Sequence, residues 1–150
     1  MKKSAVIIRI KDNQRKQKLA TARIKSKLRV LLTSLGLPEA ELSILFIGDH
    51  AMRSLNRRYR GKDKATDVLS FPMREGAFSS VQPHILGDIV ISIPTALNQA
   101  KKAASPLSRE IDRLLVHGLL HLVGHDHEQS RRGAETMKKK ERKLLKRLRQ

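Results

Sequence analysis

The chain contains no cysteine and no tryptophan, and among its 150 residues there are one tyrosine and three phenylalanines. Without cysteine, both a disulfide framework and a thiolate metal site are excluded. So few aromatics argue against recognition of nucleic acid by base stacking, as in RRM sheets and single-strand OB-folds. Acidic residues are scarce as well: 14 Asp and Glu face 32 Lys and Arg, a formal charge of +18. No apolar run approaches the roughly 20 residues of a membrane span. The Met1-Lys2-Lys3 start leads only into the short stretch Ala5 to Ile8, so no secretory signal is expected. These absences predict a cytoplasmic protein that does not enter a membrane. What the chain does have is 39% hydrophobic residues, too many for a disordered basic tail and enough for one core. A surface this cationic attracts polyanions such as nucleic acid or anionic lipid.

Hydrophobic spacing predicts intermixed helices and strands in one α+β domain over 1–150. Residues 5–10 read as a β-branched strand. Ala20, Ile24, Leu28, Leu31 and Leu35 recur at helical spacing until Gly36 and Pro38. A strand from Leu42 to Ile47 places Leu42, Ile44 and Phe46 on one face. Asp49 is expected to N-cap a short helix with Met52, Leu55 and Tyr59 on one side. Residues 60–67 read as a polar loop, followed by a strand Val68–Phe71 closed by Pro72. A surface loop over 73–84 precedes the most strand-like stretch, Ile85 to Ile93. Pro94 opens a helix to about Ala104. Ser105-Pro106 forms an N-cap and N1 pair for a further helix, ending near Val123 at Gly124. A basic helix from about 129 carries Ala134, Met137, Glu141, Leu144 and Leu148 at spacings of three and four.

The positive charge comes in three runs. Residues 1–35 hold eleven basic residues and one Asp, Arg53 to Lys64 six around Asp63, and 131–149 ten against two acidic. Any one run is accounted for by a solvated helix face. Three together on one small domain point to a polyanionic partner.

His117 and His121 lie four apart on the predicted helix, so both rings project from one face. That helix is apolar almost all round, with a single polar stripe of Glu110, Arg113, His117 and His121. Gly124 allows the chain to leave the helix and double back. His127 then returns as a third nitrogen, with His125 as its competitor. Three imidazoles with an open fourth position describe a catalytic zinc site, one ion per chain, better than a closed structural one. Such an ion lowers the pKa of bound water to about 7. Asp126 could orient a ligand imidazole, accept a proton from the attacking group, or simply stabilise the turn.

The spacing matches H-E-x-x-H-x-x-G-x-x-H of long-motif zinc peptidases except at one position. Gly118 stands where those enzymes carry the Glu that serves as general base, which leaves peptide hydrolysis as a weak alternative. A metal site on a cationic surface points instead to phosphodiester cleavage. A second alternative is a ribosome-associated RNA-binding protein whose metal is purely structural.

The segment His117-Gly-Leu-Leu-His121-Leu-Val-Gly124-His-Asp-His127 resembles the signature of the YbeY endoribonucleases, bacterial rRNA maturation factors. So do Leu55-Asn56 with Tyr59 to Asp63, Thr66 to Pro72, and Leu86-Gly87-Asp88-Ile89, in the family's order over about 44–128. The resemblance implies a zincin-like α+β fold: a small mixed sheet packed with helices, the metal site at the end of a central helix. It implies zinc on His117, His121 and His127, and cleavage of single-stranded RNA in small-subunit rRNA 3′-end maturation and ribosome quality control. It makes the ribosome or its proteins expected partners, and Arg60 a contact to the RNA phosphate. Two features depart from the pattern: His125 stands where the family usually has Tyr, and the tail after 130 is more basic.

Overall fold

The computed structural model describes residues 6–73, 84–124 and 131–149. Its elements run β1 (Ile7–Asp12), α1 (Thr21–Ser34), β2 (Glu41–Ile47), α2 (Asp49–Arg60), β3 (Val68–Pro72), β4 (Ile85–Ser92), α3 (Ile93–Lys102), α4 (Leu107–Leu122) and α5 (Arg131–Leu148). The four strands form one mixed sheet in the order β1-β2-β4-β3. β1 pairs with β2 and β2 with β4 in parallel, while β3 runs antiparallel along β4. The architecture is therefore α+β, as the hydrophobic periods imply, with the small mixed sheet expected from the family resemblance.

Period-two alternation decides which face each strand residue serves. Ile8, Leu42, Ile44, Phe46, Ile89 and Ile91 share the larger core with Leu28, Leu31 and Leu32 of α1 and most of α4. Val90 and Leu69 turn to the opposite face and meet Met52 of α2 in a smaller cluster. Leu86 would point with Val90 if β4 were regular, yet it belongs to the larger core. A register shift explains it: Glu41 opposes Ile85 while Leu42 opposes Gly87, so Leu86 is the extra residue of a bulge. Gly87 there has φ +136°, and a Cβ would overlap the carbonyl of Phe71 across the ladder.

Several local expectations shift. β1 starts at Ile7 rather than residue 5. Asp49 is the first residue of α2 rather than its cap; Gly48 holds that place. The Asp49 carboxylate instead accepts the hydroxyls of Ser92 at 2.5 Å and Thr95 at 2.6 Å, tying α2 to the start of α3. Tyr59 lies 58% exposed, and Asn56 takes the buried position beside Met52. Arg60 ends α2 instead of opening a loop, because Gly61 supplies the left-handed C-terminal residue. Pro106, not Ser105, caps α4. Of the expected loop over 73–84, residues 74–83 fall outside the described residues. No described helix is long and apolar enough to cross a membrane.

α4 is buried on nearly every side because it lies between the sheet, α3 and α5. It comes into tight contact with the sheet at Gly118. A Cβ there would lie 3.0 Å and 3.3 Å from Ile89 side-chain carbons and 3.2 Å from Ser70 Oγ. The absent side chain lets Ser70 donate its hydroxyl to the Gly118 carbonyl at 3.2 Å, fastening α4 to the edge strand. Adding a methyl group should gain up to about 1 kcal/mol of helix propensity and lose about 1–3 kcal/mol to overpacking. Gly118→Ala is thus expected to destabilise by about 1 kcal/mol in urea denaturation, and to become neutral or stabilising in an Ile89→Ala background. An equal cost in both backgrounds would show that the contact with Ile89 is not the constraint.

Candidate metal centre

The polar stripe of α4 forms as its spacing requires. Glu110, Arg113, His117 and His121 succeed one another along a single line while Leu114, Leu115, Leu119 and Leu122 go to the core. Arg113 grips Glu110 through two hydrogen bonds of 2.9 and 2.7 Å and lies 3.6 Å from Asp67. The Glu110 hydrogen bond, with further attraction from Asp67 and Glu141, raises the Arg113 pKa above its ordinary value despite partial burial. Asp67 is itself fixed: one oxygen accepts the Val68 amide at 2.8 Å, the other Gln99 Nε2 at 3.3 Å.

Further along, the two imidazoles meet. His117 Nε2 and His121 Nε2 are 3.1 Å apart, with ring centroids at 4.6 Å and planes at 67°. His117 turns its other nitrogen, Nδ1, to Glu141 Oε1 of α5 at 3.0 Å. In the neutral ring, a proton on Nδ1 donated to the Glu141 carboxylate leaves the Nε2 lone pair facing His121. Glu141 is held in place by its own helix: Met137 and Leu144, one turn to either side, are buried against the core. Both side chains of the bond are about three-quarters buried, at 26% and 22% exposure.

This arrangement fits a divalent cation. Two nitrogens each about 2.0–2.1 Å from a tetrahedral ion are about 3.3 Å apart, close to the observed spacing. A carboxylate on the far nitrogen of a ligand histidine is the usual means of fixing its tautomer and orientation. Among the described residues, no third His, Cys, Asp or Glu completes a ligand group with the pair. His125, Asp126 and His127 lie outside the described residues. Gly124 itself has φ +96°, the left-handed conformation expected where the chain leaves α4.

Gly118 also decides what the site lacks. The direction a side chain would take there is filled by Ile89 and Ser70. The peptidase base is therefore missing in kind, and its place is occupied by packing.

The side chain of Arg60, at the exposed end of α2, makes no ion pair or hydrogen bond with the described residues. Its neighbour Asp63 is taken by Arg53 at 2.8 Å and Arg57 at 3.9 Å. The hydrogen bond from Arg53 holds the Asp63 carboxyl below its usual range. Glu141 is the residue to which sequence reasoning gave no part in the site. The signal was present: a lone carboxylate on the apolar stripe of an otherwise cationic helix is out of place unless it has a partner.

The chain matches the family model described as Endoribonuclease YbeY over residues 8–149. It is 40% identical over 142 residues to a protein of Syntrophus aciditrophicus named endoribonuclease YbeY, covering 94% of this chain and 89% of that protein. A protein of the same name from Geobacter sulfurreducens is 39% identical, with coverage of 92% and 93%. In fold, the chain is similar to the solution structure of TM1509 from Thermotoga maritima, with a TM-score of 0.66, 22% identity, and coverage of 95% and 89%. With a matching family model over nearly all its length and relatives this similar, the chain belongs to the YbeY endoribonuclease family.

Proposed function

We propose that this protein is a metal-dependent, single-strand-specific endoribonuclease acting in 3′-end maturation of small-subunit rRNA and in ribosome quality control. On this reading residues 1–150 form one hydrolase domain of zincin-like plan, working in the cytoplasm with the ribosome or its proteins as partners. The observation that carries the reading is the His117–His121 nitrogen pair, oriented from behind by Glu141. Membership of a family named for cutting RNA supplies the substrate class.

The residues proposed to hold one Zn2+ are His117, His121 and His127. An ion bound there supplies Lewis-acid chemistry, polarising a phosphoryl oxygen and acidifying a coordinated water. Glu141 keeps the His117 ring turned and its Nε2 lone pair available. Arg60, which meets no carboxylate among the described residues, is proposed to offset charge building on the phosphate. Asp126 is proposed to accept a proton or orient a ligand histidine. The Arg113–Glu110–Asp67 network keeps the end of the stripe rigid and its own charges mutually satisfied, so that they do not compete for the phosphate. Peptide hydrolysis is not favoured, since the base position is filled by packing.

His121→Ala is expected to abolish cleavage of a single-stranded rRNA fragment and metal uptake, while much of the RNA affinity remains. Cleavage that survives both this change and chelation would refute the reading. If chelation unfolds the protein and no metal restores cutting, the metal is structural only. Glu141→Gln keeps the shape but weakens the acceptor, and should lower metal affinity or activity about 10–100-fold. A titration of the apoprotein with Zn2+ reads this directly; unchanged affinity would remove Glu141 from the site.

A further inference from the structure

The cations of α5 are more than a solvated face needs, and some of them surround a hollow. α1 packs beside α5 and stops at Ser34, leaving a cleft of about 700 Å3 between its C-terminal end and the last turns of α5. Ser34 and Leu35 line one side; Lys140, Lys143, Leu144, Lys146 and Arg147 line the other. None of the described lining residues carries a carboxylate. Across the cleft Arg147 Nε donates a long hydrogen bond to Ser34 Oγ at 3.4 Å. Lys143 stands three and four residues before Lys146 and Arg147, so these like charges face one another on the helix. A crowded cationic rim over an apolar floor concentrates positive potential in the hollow.

We infer that this cleft binds the sugar–phosphate backbone of single-stranded RNA beside the cleavage site; the inference rests on the endoribonuclease reading. No aromatic ring among the described residues lines the cleft, so it offers charge without base stacking, and binding there is independent of sequence. Lys143 to Arg147 lie two to six residues beyond Glu141, about 3–9 Å along the axis of α5. A strand lying in the cleft is therefore within reach of the histidine end. A lipid surface suits the patch less well, because none of the exposed large hydrophobic residues lies on α5.

The test is fluorescence anisotropy of a labelled single-stranded RNA with the full chain across a salt series. The cleft variant is Lys143→Gln/Lys146→Gln/Arg147→Gln. A charge-matched control is Lys16→Gln/Lys18→Gln/Arg23→Gln, also on exposed residues. Glutamine retains helix propensity, and circular dichroism checks the fold. The cleft variant should flatten the slope of log K against log salt by about 2 and weaken binding on the order of tenfold or more, while the control stays near the parent. An unchanged slope in the cleft variant, or an equal loss in the control, overturns the cleft assignment while leaving the endoribonuclease reading intact. A parent chain that neither binds nor cuts the RNA overturns both. Loss of binding to anionic vesicles without loss of RNA binding would assign the cleft to lipid and refute the inference.

Discussion

The hydrogen bond from His117 to Glu141 joins the two helices on which the site depends. α4 brings the histidines and α5 brings the carboxylate that orients one of them. The bond lies across an interface otherwise made by apolar residues such as Met137 and Leu144 of α5 and the leucines of α4. A polar pair in such surroundings is tolerated only when each partner satisfies the other. Burial thus fixes the pairing, and the pairing fixes which nitrogen of His117 is available.

Close packing sets the other limit on chemistry. Because Gly118 lies against Ile89 and Ser70, α4 can come near the sheet, and the polar stripe is carried to the edge strand where Asp67 meets Arg113. The same contact removes any carboxylate from the position next to the first histidine. Charge is divided in keeping with this. Glu110, Asp67 and Glu141, three of the 14 acidic residues, gather along the stripe and its partners. The exposed faces of α1, α2 and α5 are left strongly cationic, as suits an enzyme that must hold a polyanion while keeping its catalytic groups in order.

Much of this was legible in the residues. The helical spacing of α1, the shared face of Leu42, Ile44 and Phe46, and the Gly124 exit from α4 follow directly from periodicity and turn chemistry. The histidine pair followed from i,i+4 geometry. Other features depended on tertiary neighbours. Asp49 has the chemistry of a cap, but Ser92 and Thr95 offered its carboxylate two hydroxyls, and Gly48 took the cap position. The bulge at Leu86 needs the opposing strand to define it. Glu141 could be read as one more member of a stripe until α5 was placed against α4.

On the proposed reading, imidazole nitrogens from His117, His121 and His127 hold one cation. X-ray absorption at the metal edge of the purified protein measures this most directly. A zinc shell of three imidazole nitrogens at about 2.0–2.1 Å with one further oxygen ligand is expected. Purified protein without stoichiometric metal, or a shell of oxygens lacking the imidazole scattering pattern, would contradict it.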